Sequence, residues 1–469
     1  MSGAPSLDST VGTAAKNRLL WAAILASFVS FLDGSIVNIA LPAIARDIGG
    51  GIVLQQWVVS GYLLTLSAFI LTAGSVSDAF GRLKVLRIAI VAFAVTSLLC
   101  AVAPTAGVLV AARLLQGVAG ALLVPGSLSL IIATFEGPEQ SRAIGRWTSW
   151  TSVSFLAGPI VGGLLVDAVG WRSVFVLSVL PAAASLLLLG RTRDGAMPEP
   201  RSRVDVASAA LAALGLGALV TGLIEVGAHT RGGDTATLPL PVAVGLLAAG
   251  AVLLVVFVLR DRRATHPLVP AALFRARNFR WGNVATLFIY AGLNIAGLVP
   301  TLFLQQVVTL PATLAAVVGL PSTVLMILLS GRFGALSGRF GPRLFMTAGP
   351  LTCAAGAALM ALVRDPATAL WLIVPGIVIS GVGLAMTVAP LTSAVLGAVP
   401  PQQSGIGSAV NNAVARVAGL VATGCVGWIM GGVVTTSGFD RAALVTALLL
   451  AVGGMTSYAG IRNPAGSGA

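Results

Sequence analysis

The chain predicts an all-α polytopic membrane protein: two six-helix bundles plus an inserted helix pair, fourteen transmembrane helices in total. Three observations carry that expectation. The composition is too apolar for water, hydrophobic runs of spanning length follow one another, and the two halves echo each other. Of 469 residues, 57% are hydrophobic and 9% charged, with a mean hydropathy of +0.98. A soluble domain carries about 25% charged residues, so these side chains cannot clothe a water-facing surface of this size. Disorder is excluded by the same figures, because it needs low hydrophobicity and high charge. An outer surface facing lipid accommodates both.

The runs fall in order at about 19–41, 55–77, 85–103, 107–131, 143–166 and 173–189, then a middle pair at about 205–226 and 239–259. Six more follow at about 281–304, 311–331, 343–363, 367–394, 404–431 and 440–460. The first run follows Lys16 and Arg18 as a signal peptide would, but it is too long and contains Asp33, so it reads as an uncleaved helix. The expected organisation is an N-terminal bundle over 1–190, linkers and the inserted pair over 191–280, and a C-terminal bundle over 281–469.

Charge asymmetry supports the count. With both termini cytoplasmic, 21 of the 28 Lys and Arg fall on the cytoplasmic side, five fall outside, and Arg113 and Arg416 lie within spans. The net charge of +13 then reflects membrane topology, and no nucleic-acid partner is expected. The expected setting is a bacterial plasma membrane. The three cysteines lie in separate apolar runs and both histidines, His229 and His266, in loops. Neither a metal site nor a cofactor is expected. No Walker-type phosphate loop appears either, which argues against an ATP-driven pump.

An offset near 261 residues relates the two halves. Gly74 to Gly81 (GSVSDAFG) echoes Gly334 to Gly341 (GALSGRFG), Ala157-Gly158 with Gly163 echoes Ala418-Gly419 with Gly424, and Asp33 falls opposite Asn294. Two related bundles facing a central site near the membrane midplane are a recurrent transporter design.

Asp33 is the only carboxylate well inside the twelve bundle helices. A charge at that depth costs on the order of 3 kcal/mol, and burial favours protonation of a carboxylate while a nearby cation opposes it. Arg113 lies at similar depth, so the two are expected to pair and part, giving a switchable proton site. A purely structural pair is the alternative. Two polar stripes run at helical spacing: Thr286, Tyr290 and Asn294 in the ninth span, and Ser404, Ser408, Asn412 and Arg416 in the thirteenth. They are expected to line the substrate cavity, with interhelical glue as the competing reading. Tyr62 and Gln116 are further cavity candidates. Gly158, Pro159, Gly162 and Gly163 are expected to form a tightly packed hinge or seal. Asp78, Gly81 and Arg82 fall at a cytoplasmic loop and are expected to form a gate. Glu225, closing the seventh span, is expected at the interface.

Four stretches resemble one family. Leu32-Asp33 through Pro42 (LDGSIVNIALP), the loop with Asp78, Gly81, Arg82 and Lys84, Arg113-Leu-Leu-Gln116-Gly117 through Gly120, and Gly158-Pro159-Ile-Val-Gly162-Gly163 with Gly170-Trp171-Arg172 are similar to motifs of the fourteen-helix drug:proton antiporters of the major facilitator superfamily, the QacA/EmrB type. The second loop copy departs from the pattern, with Gly338 where the first has Asp78. The resemblance implies the major facilitator fold, proton-coupled export of small amphipathic compounds, a proton-transfer role for Arg113, and a substrate cavity between the bundles. Uptake of a metabolite with protons and export of a lipid or other endogenous product stay open as alternatives. The expected partners are protons, a small molecule and the bilayer, with the chain acting as a monomer. No enzyme constellation is present.

Overall fold

The computed structural model describes residues 13–190, 206–229, 236–264, 267, 269–400 and 403–463. Among them are fourteen long helices and no strand. The first six are α1 (Thr13–Ile48), α2 (Gly51–Phe80), α3 (Arg82–Ala101), α4 (Ala106–Thr134), α5 (Gly137–Ala168) and α6 (Arg172–Leu189). The inserted pair is α7 (Val206–Ala228) and α8 (Leu240–Arg263). The last six are α9 (Arg277–Gln306), α10 (Ala312–Phe340), α11 (Pro342–Met360), α12 (Leu370–Leu396), α13 (Ser404–Met430) and α14 (Thr436–Gly460).

Thirteen of these helices are long and apolar enough to cross a membrane among the described residues; α11 falls short. Its 19 residues include Gly349, Pro350, Cys353, Ala354 and Gly356, all buried. Small residues lower its hydropathy but let α12 approach closely: a Cβ on Gly356 would stand 2.5 Å from the Gly376 carbonyl oxygen. Hydropathy also underestimates several helices. α1 has 36 residues and α2 has 30, about 54 and 45 Å at 1.5 Å per residue, whereas the hydrocarbon layer is about 30 Å thick. The helices run on beyond the part that lipid selects.

Local chemistry sets the helix boundaries. Thr105 and Thr435 are extended N-caps whose side chains accept the Val108 and Gly438 amides, opening α4 and α14. The α2–α3 and α10–α11 junctions each turn on one glycine, Gly81 at φ 91° and Gly341 at φ 83°, a conformation that strains any residue with a Cβ.

The repeat predicted from the sequence is a repeat of packing. In the first bundle α1 packs on α5 and α6, α2 on α4, and α3 on α4 and α6. The second bundle reproduces these contacts eight helices later: α9 on α13 and α14, α10 on α12, and α11 on α12 and α14. The bundles meet along α2–α13 and α5–α10. In the inserted pair, α7 lies in the seam against both α2 and α13, while α8 packs chiefly on α7. Glu225 lies near the end of α7. It is 2% exposed and accepts bonds from the Thr237 amide at 2.8 Å, the Thr237 hydroxyl at 2.6 Å and the Leu238 amide at 3.0 Å, tying the α7–α8 connection down.

Candidate functional site: a buried ion pair beside the bundle interface

Asp33 is midway along α1, and α4 carries Arg113 and Gln116 one turn apart. The packing of α1 on α4 brings them together. Arg113 Nη1 stands 2.7 Å from Asp33 Oδ2 and 2.7 Å from Gln116 Oε1, while Gln116 Nε2 donates to Asp33 Oδ1 at 3.1 Å. Arg113 Nε donates to the Val58 carbonyl on α2 at 2.9 Å. Exposure is 0% for Asp33, 1% for Arg113 and 0% for Gln116, so Gln116 serves the pair and not an open wall. An ion pair braced by further hydrogen bonds is the form in which charge survives in a low-dielectric interior.

Tyr62 on α2 closes the cluster. Its ring lies 4.4 Å from the Arg113 guanidinium carbon, a cation–π contact, and its hydroxyl is 2.9 Å from Ser30 Oγ. Gly117 and Gly120 on α4 make room for it: a Cβ on Gly120 would stand 2.9 Å from the Tyr62 hydroxyl oxygen, and one on Gly117 would collide with Thr65 and the Tyr62 carbonyl. The glycines of this stretch therefore seat an aromatic ring against the ion pair.

The second bundle has no acid at the matching place. Asn294 stands there, donating to the Tyr290 carbonyl at 2.8 Å and lying against Gly419 of α13. Gly158 of α5 meets Ser35 of α1 in the corresponding way. The two α13 side chains Asn412 and Arg416 are one turn apart on a common face: Asn412 is exposed and donates to the Ser408 carbonyl at 3.2 Å, and Arg416 is half-buried with no partner for its enclosed Nε. Arg416 belongs to α13, which packs on α2 of the first bundle and on α9 of the second, and so lies on a helix at the boundary between the bundles. Thr286, the other member of the α9 stripe, is glue. Its hydroxyl, with Asn283, receives the Asn411 amide at 2.8 and 3.2 Å. Asn411 and Asn283 were not selected from the sequence; the adjacent Asn pair 411–412 was the available signal, and only the helix rotation says which one faces α9.

The hydrogen bonds seen to join the bundles lie at one end, where α1 finishes. Gln56 Nε2 donates to the Thr423 and Gly424 carbonyls at 2.8 and 2.9 Å, and Gln305 donates to the Ile39 carbonyl at 3.1 Å. Asp167 of α5 caps α10, accepting from the Ala312 amide at 3.0 Å, the Thr313 amide at 2.8 Å and the Thr313 hydroxyl at 2.6 Å. Gly162 packs on Ile36, and a Cβ on Gly163 would stand 2.6 Å from Thr313 Cα, across the interface. Pro159 lies within α5 without ending it. Exposure along the inner face of α13 falls from Asn412 through Arg416 to Gly419 and Thr423, so the cleft is sealed at this end and widens toward the other. There, Gly81 joins α2 to α3 and Arg82 begins α3; the side chain of Asp78 lies outside the described residues.

Residues 23–423 match the model of the Major Facilitator Superfamily. The chain belongs to that superfamily. Among curated relatives, the tetracenomycin C resistance and export protein of Streptomyces glaucescens is 34% identical over 87% of this chain and 76% of its own length. The multidrug resistance protein Stp of Mycobacterium tuberculosis is 33% identical over 83% and 71%. The probable actinorhodin transporter of Streptomyces coelicolor is 31% identical over 97% and 80%. Solved structures share the fold at low identity. A bacterial homologue of the human lysosomal transporter Spinster, inward-facing and unoccupied, superposes with a TM-score of 0.67 at 14% identity, over 96% of this chain and 97% of its own. A peptide transporter in complex with sulfate gives 0.69 at 15%, over 97% and 96%. This superfamily member is a multi-pass membrane transporter of small molecules and not an enzyme.

Proposed function

We propose that this protein is a proton-coupled drug exporter of the fourteen-helix QacA/EmrB type. It moves small amphipathic compounds out of the bacterial cytoplasm as protons enter. Relatives named for antibiotic resistance and export support the direction. The observation that carries the coupling is the Asp33–Arg113 pair, fully buried one ring away from the interface between the bundles. Asp33 is the proton site and Arg113 its partner. Protonating Asp33 neutralises the acid and leaves Arg113 without its counter-charge; losing the proton restores the neutral pair, so the proton content of the pair biases how α1 and α4 sit. Tyr62, Tyr290, Asn294, Asn412 and Arg416 face the substrate path, and Gln116 holds the acid in position.

The cycle uses two gates. With both termini cytoplasmic, as the Lys and Arg distribution favours, the sealed end is extracellular and the structure is inward-facing. Residues 1–190 and 281–469 form the rocking bundles, and 191–280 carry the inserted pair. Gly158, Pro159, Gly162 and Gly163 give the close contact on which the outer seal rests. The loop of Asp78, Gly81 and Arg82 closes the cytoplasmic side in the opposite state. One chain carries both bundles and works as a monomer. Transmembrane voltage supplies about 2.3 kcal/mol per charge per 100 mV, and a pH unit about 1.36 kcal/mol.

The test is transport in inside-out vesicles with an imposed pH gradient, using tetracenomycin C, actinorhodin, methylenomycin A and puromycin as the panel. Accumulation of a panel member against protons leaving the vesicle lumen supports export; accumulation only with co-moving protons replaces this reading with uptake.

A further inference from the structure

Among the described residues, Arg416 is a cation without a counter-ion. Its Nε is enclosed and unbonded, and none of the ion pairs among the described residues involves it. Arg113, by contrast, spends its donors on Asp33, Gln116 and Val58. The helices packed against α13 bring two neutral phenols to this region, Tyr62 on α2 and Tyr290 on α9. An unneutralised guanidinium at membrane depth is expensive to keep, and arginine cannot lower the cost by shedding its proton. The Asp33–Arg113 pair is locally neutral, which leaves the centre of the molecule with one net positive charge. A cationic ligand there meets repulsion in a low-dielectric cleft, whereas an anion completes the pair.

We infer that Arg416 is the head-group site for an organic anion: a carboxylate or phenolate on an apolar, aromatic body. The planar fork of arginine fits a carboxylate through two parallel bonds. Tyr62 and Tyr290 come from opposite bundles, on the two helices α2 and α9 that pack against α13, so a body bound at Arg416 lies between phenol-bearing helices of both bundles. Asn412 lies one turn away on the same face toward the open end of the cleft, placing the entry path and the charge on one line. This inference rests on the transport reading of the cleft and narrows its substrate class.

The test compares three probes with one body and different charge: pyrenebutyrate, its methyl ester and pyrenebutylamine. Binding to the full chain in nanodiscs of zwitterionic lipid is read by energy transfer from the protein's tryptophans, corrected with empty nanodiscs. Wild type is expected to bind the carboxylate at least about tenfold more tightly than the ester or the amine, the worth of a hydrogen bond to a charged group. Arg416→Gln removes that preference, bringing carboxylate binding down to that of the ester in the same variant, and Arg416→Lys retains part of it. Equal binding of all three probes to wild type, preference for the amine, binding of none, or an intact carboxylate preference in Arg416→Gln overturns the inference. The wild-type comparison needs no variant to fold. No gradient is applied, so a carboxylate preference without proton-driven transport sinks the export reading alone, and transport without the preference sinks this one alone.

Discussion

Asp33 and Arg113 are 80 residues apart in sequence and 2.7 Å apart in space, and their burial makes each dependent on the other. Removing one partner of such a pair leaves a lone charge and costs about 3–5 kcal/mol. Arg113→Gln is therefore expected to destabilise the protein by that amount in unfolding titrations in mixed micelles, and the double variant Asp33→Asn/Arg113→Gln to recover most of the loss. An additive double variant contradicts a direct pair. Asn411, bonded to both Asn283 and Thr286, is a smaller case. Asn411→Ala is expected to cost about 1 kcal/mol in the same titration, the scale of interhelical hydrogen bonds in membranes, without changing which probes bind. The pair was legible in the sequence because a charge in a long apolar run has few places to be. The Gln116 bridge and the Asn411 contact were not legible, because spacing fixes which residues share a face but not which neighbour that face meets.

At the scale of helices, the seal at the closed end of the cleft is a backbone contact completed by an acid. A Cβ on Gly163 meets Thr313 Cα, and Asp167 satisfies the first amides of α10, donors with no partner inside their own helix. Gly163→Val is expected to force α5 and α10 apart at this end, and Asp167→Ala to loosen it by removing the cap, worth about 0.5–2 kcal/mol. Spin labels on the end of α5 and the start of α10 should show longer distances in both variants than in wild type; unchanged distances contradict the seal. The glycines were visible in the sequence as a packing motif. Asp167 was passed over, because an acid near a helix end looks like any solvated residue until the partner helix is in view. The helix ends were legible only to the edge of the hydrocarbon layer, since apolarity reports what lipid touches and not where hydrogen bonding stops. This is why α1 and α2 outrun their predicted spans.

For the whole molecule, the order of elements was readable: six helices, two, and six again, with Gly81 and Gly341 marking the same turn in each half. The placement of the inserted pair was not. Hydropathy gives α7 and α8 the same status, yet α7 fills the seam between α2 and α13 while α8 faces outward. A seam shared by both bundles links the pair to their relative motion. In the proposed cycle the buried pair, the cleft and the seal form one device: a pair that gains and loses a proton, a cleft open at one end, and a contact that must break at the other. Proteoliposome transport by wild type and Asp33→Asn, with and without an imposed pH gradient, tests that device most directly. The account predicts that Asp33→Asn still exchanges substrate at equal pH but no longer accumulates it when the gradient is applied. Full gradient-driven accumulation by Asp33→Asn would contradict it.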